Sequence, residues 1–273
     1  MDSKSLINLS ILCYWLSVGI YTAYWYCNFS GKGTRTFVLA LGLGIQLTAF
    51  AMRGMAIEYL PLTNKFESFY GFSITVFILL YIYRDVEVPI FRTVLFSVGY
   101  VFLVAAAFWP KGLNYPPPLM ITIWYTLHVP LSFMCYAYWT LSFAAASAYF
   151  LGAGPRGTSS ASAGNPSSPP GEARGRDMID IIDRGFLYGM LGFSVSMLFG
   201  GLWGYVAWGS YFLWDAKVVW SVIVWLFYSA CIHVDHWPAL KPYKPHLAVA
   251  GFLIMLMTYV GTSFLISSSH SFG

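Results

Sequence analysis

The stretch GFLYGMLGFSVSMLFGGLWGYVAWGSYFLW, from Gly185 to Trp214, contains no Asp, Glu, Lys or Arg. A second stretch, from Gly112 to Pro155, is equally free of formal charge. Each exceeds the roughly 20 apolar residues that a helix needs to cross a bilayer. Outside these two runs the chain keeps the same character: 58% of its residues are hydrophobic and 10% are charged, with a mean hydropathy of +0.64. A soluble domain rarely reaches such values, so lipid is the expected solvent and partner. Short alternating segments with turn signals are absent, which disfavours a membrane barrel. The expected fold is an all-α integral membrane protein, a polytopic bundle of about eight transmembrane helices. Apolar runs and polar breaks place them near 6–27, 36–57, 67–83, 93–109, 120–151, 185–203, 217–234 and 247–268.

Basic residues set the orientation. Lys32, Arg35, Arg84, Arg92, Arg156, Arg174, Arg176, Arg184, Lys241 and Lys244 all fall in breaks on one side, which the positive-inside rule assigns to the cytoplasm. Both termini, the loops 58–66 and 110–119 and the segment 203–216 then face outward. Residues 152–184, rich in Gly, Ser, Ala and Pro at their start, read as a flexible cytoplasmic linker. It separates a five-helix part, 1–151, from a three-helix part, 185–273. The first run is too long for a cleaved signal and reads as a retained helix. Dispersed basic residues and a formal charge of +4 argue against nucleic acid as a partner. Cys13, Cys27, Cys135 and Cys231 lack CxxC spacing and read as small packing residues.

The richest pattern runs from Trp203 to Tyr228 as WGxxxWGSYFLWDAKxxWSxxxWLxY. Tryptophans favour the headgroup level in any membrane protein, and an interfacial belt is one reading of Trp203, Trp208, Trp214 and Trp220. The other is a platform, with indole faces covering a flat ligand and glycines letting the backbone approach it. Asp215 and Lys217 read as an interfacial ion pair or as the platform's charged end. In Pro61-Leu62-Thr63-Asn64-Lys65-Phe66-Glu67-Ser68, Asn64 and Glu67 have the spacing of a capping box, a role compatible with lining a pocket. Arg53, inside the second helix, is expected to pair with Glu58, to snorkel, or to meet a carboxylate of a ligand.

The tryptophan segment resembles the WWD signature of the haem-handling cytochrome c assembly proteins, the CcsA or ResC family. The segment 61–68 is similar to that family's P-x-[ST]-N-x-x-E-S outer loop. Where the family commonly has WDPKE, this chain has Trp214-Asp215-Ala216-Lys217-Val218. The resemblance implies haem b as cargo with two histidine ligands, held at the outer face by His128 and His270 beneath the tryptophans. It further implies an inner haem bound by His233, whose opposite ligand comes from a CcsB or ResB partner. The implied activity is presentation of haem for thioether attachment to the CxxCH motif of apocytochrome c, as a component of a holocytochrome c synthase. Such a protein would sit in the inner (cytoplasmic) or thylakoid membrane. His128, near the outer end of the fifth helix, and His270, near that of the last, share the depth of the tryptophans; intramembrane ionisable groups are functional candidates by default. His236 reads as a solvated interfacial residue or, on the same helix side as His233, a substitute ligand, and His246 as part of the helix boundary. The alternatives are a haem exporter or chaperone like CcmC or CcmF, a HemX-like regulator of tetrapyrrole synthesis, and a generic transporter.

Overall fold

The computed structural model describes residues 2–26, 31–153 and 170–262. Among them are eight helices long and apolar enough to cross a membrane, and no strand. They are α1 (Ser3–Tyr26), α2 (Lys32–Ile57), α3 (Lys65–Ile82), α4 (Pro89–Ala106), α5 (Ile123–Ala148), α6 (Pro170–Trp208), α7 (Ala216–Cys231) and α8 (Lys244–Leu256). The protein is thus a multi-pass helical membrane protein.

Three helices that begin at the same end of the bundle carry their own caps. Asn64 Oδ1 accepts from Glu67 N at 2.9 Å, Thr122 Oγ1 from Tyr125 N at 3.1 Å, and Asp215 Oδ1 from Val218 N at 3.0 Å. Each bond satisfies one of the orphan amides at a helix start, which lipid or half-wet surroundings would leave costly. The loops at this end are braced in turn: Tyr125 Oη donates to the Leu62 carbonyl at 2.7 Å, and Trp203 Nε1 to the Leu119 carbonyl at 2.7 Å.

α5 and α6 run antiparallel along a stripe of small residues. A side-chain carbon at Gly185 would lie 2.6 Å from the Tyr138 carbonyl, at Gly192 2.7 Å from Cys135 Sγ, and at Gly200 2.8 Å from His128 Cε1. Between them, Ser132 and Ser196 share a hydrogen bond of 2.6 Å. Close backbone approach of this kind is how helices associate in lipid, where burial of apolar surface supplies little net drive.

α6 starts 15 residues before the expected 185, which shortens the expected linker 152–184. Proline suits the first position of a helix, and Met178, Ile181 and Ile182 recur at helical spacing and are buried. Residues 154–169 lie outside the described residues, as does Cys27. At the same end, Lys244 joins three elements. Its ammonium, 2% exposed, is 2.6 Å from Asp183 of α6 and 2.8 Å from Asp235 beyond α7.

Candidate functional site

The first turns of α3, α5 and α7, the last turns of α6 and the turns beyond α8 surround a cleft in two adjoining hollows. One has about 950 Å³ of empty space and the other about 640 Å³, each counting the part open to solvent. His128, Tyr136, Trp203 and Lys217 line both, so they form the shared wall. Asn64, Lys65 and Ser68 edge the first hollow; Trp208, Tyr211 and Phe212 edge the second. Aromatic side chains contribute to both walls, while Thr63, Asn64, Lys65, Ser68 and Ser132 give the first hollow a polar side, a mixture that suits a flat apolar ligand with polar edges.

His128 is held in a defined tautomer. Its Nδ1 lies 2.8 Å from the Ser196 carbonyl, which can only accept, so Nδ1 carries the hydrogen and the basic lone pair belongs to Nε2. Ser196 Oγ returns a bond to the His128 carbonyl at 3.0 Å and meets Ser132 Oγ at 2.6 Å. Fixing one ring nitrogen on a carbonyl is the usual way a protein orients an imidazole for ligating through the other. The ring lies nearly parallel to Trp203, 18° between planes with centroids 6.5 Å apart. Gly200 makes the room: a methyl there would meet His128 Cε1 at 2.8 Å and Nδ1 at 2.9 Å. Gly200→Ala is therefore expected to tilt the imidazole off the Ser196 carbonyl with the fold retained; loss of the protected His128 Nδ1 proton from the NMR spectrum of the purified variant checks this, and an unchanged resonance would refute it.

The structure brings together His128, Trp203, Trp208, Lys217 and Asn64 around the cleft, and places Trp214, Trp220, Asp215, His233, His236 and His246 elsewhere. Trp203 is 3% exposed and packs on Trp208 at 4.9 Å. Trp214 is 73% exposed and lines neither hollow. Trp220 sits one turn into α7, also away from the cleft, with its carbonyl accepting from Thr258 at 3.3 Å. Asp215 caps α7. His270 lies outside the described residues. His233 falls two residues past the end of α7, exposed, with Nδ1 donating to the Ser229 carbonyl at 2.7 Å. His236 follows in a short 3₁₀ turn, its ring 6.0 Å from that of His233. His246 packs edge-on to Phe150 in the first turn of α8.

Two expectations are corrected. Arg53 pairs with Glu67, not Glu58. Its Nε and Nη2 donate to Glu67 Oε1 at 3.1 and 2.9 Å, and both side chains are 1% exposed. Glu58 has left-handed backbone at the end of α2, φ 54°, so the chain turns there toward Asn64 and α3, which carries Glu67 to Arg53. Glu67 itself is sealed beneath the cleft floor. Its Oε2 accepts from Thr63 N at 3.0 Å and Thr63 Oγ1 at 3.1 Å, so no carboxylate oxygen is left for a ligand. The glycines of the tryptophan segment also serve protein packing: a carbon added at Gly204 would sit 3.1 Å from the Ser210 carbonyl. Sequence reasoning missed Tyr136 and Ser196, although the recurrence of small residues at 185, 189, 192, 196 and 200 was a signal for the helix face that Ser196 shares.

The family described as cytochrome C assembly protein matches residues 62–270, a span that includes every residue lining the cleft. The chain is 26% identical to the cytochrome c biogenesis protein CcsA of Prochlorococcus marinus subsp. pastoris, across 87% of this chain and 82% of that one. It is 28% identical to CcsA of Prochlorococcus marinus strain MIT 9312, across 79% and 76%. Among solved structures, the cytochrome c heme lyase CcmF matches 98% of this chain with a TM-score of 0.66 at 16% identity. The chain spans about half of that protein, 48% of its length, and the likeness is one of fold.

Proposed function

Because the chain belongs to the cytochrome c assembly protein family, we propose that its outer cleft holds haem b as cargo and presents it to apocytochrome c on the outer side of the membrane. The supporting observation is His128: one imidazole on the shared wall of the cleft, with Nδ1 committed to the Ser196 carbonyl, which leaves the basic lone pair on Nε2. Trp203 and Trp208 cover the macrocycle, and Lys217 on the same wall answers a propionate carboxylate. His270 supplies the second axial ligand.

Attachment forms two thioethers. In each, a cysteine sulfur of the CxxCH segment bonds to a vinyl carbon, and the thiol proton ends on the neighbouring carbon, with no net redox change. The protein's contribution is position. Two imidazoles hold the ring so that its vinyl edge faces the incoming thiols, and a reaction between separate molecules becomes effectively intramolecular, a gain of up to roughly 7–11 kcal/mol when alignment is good. The substrate histidine then replaces one ligand. Tyr211, Phe212 and Trp214, all exposed at the rim, offer the apocytochrome an aromatic docking surface.

An inner haem near His233 feeds the cleft, its opposite ligand donated by a CcsB-like membrane protein. Both termini lie on the outer side, as the basic residues of the other end require. In this reading the part that begins with α6 carries His233 and His270, and the part before the linker contributes His128.

The test is the absorption spectrum of the reduced, purified protein. His128→Gly is expected to lose the bis-imidazole bands of the outer site, and added imidazole to restore them by filling the space left by the ring. An unchanged spectrum in the variant would reject His128 as a ligand.

A further inference from the structure

At the end of the bundle opposite the cleft, the last turn of α1 and the first turns of α2 and α4 enclose another hollow, about 810 Å³ counting the part open to solvent. Two arginines line it, Arg35 from α2 and Arg92 from α4. Arg92 is 8% exposed and reaches Tyr24 Oη at 3.3 Å. Arg35 Nε is buried and has no hydrogen-bond partner among the described residues.

The charge balance here is one-sided. Neither α2 nor α4 has an acidic residue in its first turn or a side-chain cap at its start. Both guanidinium groups therefore sit near the positive ends of helix dipoles, where an anion is favoured and a cation is not. The neighbouring acids are already committed, because Lys32 holds Asp85 at 2.8 Å and Glu87 at 3.8 Å. Beside this charge lies an aromatic wall: Phe96 stacks with Tyr24 at 4.8 Å and with Trp25 at 5.4 Å, and Trp25 is 45% exposed.

We propose that this hollow binds an anionic glycerophospholipid of the adjoining leaflet, its phosphate between Arg35 and Arg92 and an acyl chain along Trp25 and Phe96. A phosphodiester supplies the missing negative charge, and its two free oxygens suit forked guanidinium donors. The site lies at the membrane interface, at the end of the bundle that also carries Lys32 and Arg84, where basic pockets between helices select anionic headgroups. Inorganic phosphate shares the headgroup chemistry but leaves the aromatic wall unused. The proposal is independent of the haem reading.

The full chain in neutral detergent would be titrated with phosphatidylglycerol, with phosphatidylcholine and with inorganic phosphate, and bound lipid followed by native mass spectrometry. Brominated acyl chains would report proximity to Trp25 through fluorescence quenching. Phosphatidylglycerol is expected to bind at least about fivefold more tightly than phosphatidylcholine, and Arg35→Gln to lose about that factor. Because Arg35 Nε has no partner to lose, that variant should keep the wild-type thermal midpoint without lipid. Trp25→Phe should retain binding and lose part of the quenching. Equal affinity for the two lipids, an undiminished preference in Arg35→Gln, or inorganic phosphate binding as tightly as phosphatidylglycerol would overturn the assignment.

Discussion

Glu67→Ala is expected to destabilise the protein by about 3–5 kcal/mol, the cost of leaving a buried charge without its partner. Oε1 of Glu67 receives two donors of Arg53 and Oε2 receives both donors of Thr63. Arg53 Nη1 also donates to the Lys111 carbonyl at 2.9 Å, and the guanidinium lies 4.8 Å from the Phe66 ring centre. One ion pair thus ties together α2, the start of α3 and the loop between α4 and α5. Truncation of the acid strands a guanidinium that lipid and packed rings cannot hydrate. A thermal midpoint in detergent lower by roughly 10 °C would reflect that loss. The double variant Arg53→Met, Glu67→Met should recover most of it, since both charges leave together. A stable Glu67→Ala would refute the structural role.

Gly189→Leu is expected to separate α5 from α6 at a cost of at least about 3 kcal/mol, the upper end for overpacking. An added carbon at Gly189 collides with the Trp139 indole, with Cδ1 2.5 Å away. Trp139 has nowhere to go. It is fully buried and lies flat on Tyr228, centroids 3.9 Å apart and planes 2° apart. Tyr228 is itself pressed against Gly251, where an added carbon would meet its ring carbon Cζ at 2.7 Å. The strain therefore passes through α7 to α8. Gly44→Leu is the control, because nothing lies within 4 Å of the position of its side chain and a residue of higher helix propensity is tolerated there. The comparison is read as yield and thermal midpoint of the purified variants. Equal midpoints for Gly189→Leu and the wild type would show that the stripe does not hold the two helices together.

Some of the candidate site was legible in the residues and some was not, for reasons that differ by position. Asn64 is a helix cap because its side chain bonds an amide three residues on, and such local geometry is readable from spacing. The partner of Arg53 was misjudged for the opposite reason. Glu58 is nearer along the chain, but the left-handed residue at that point turns the backbone and a later segment brings Glu67 in. The tryptophans showed the same divide. The pattern from Trp203 to Tyr228 marked the segment, yet its helix breaks at Trp208 and restarts at Ala216, so Trp203 and Trp208 face the cleft and Trp214 faces out.

By itself the sequence determined the solvent and the number of crossings. Hydrophobic run length and charge placement act through the bilayer and need no knowledge of neighbours. Only the tertiary structure decided which tautomer His128 adopts, that Glu67 belongs to Arg53, and that a row of small residues on α6 positions α5. Those are contacts between residues about 14 to 70 positions apart, and their energies depend on distances of a few tenths of an ångström that no local pattern encodes.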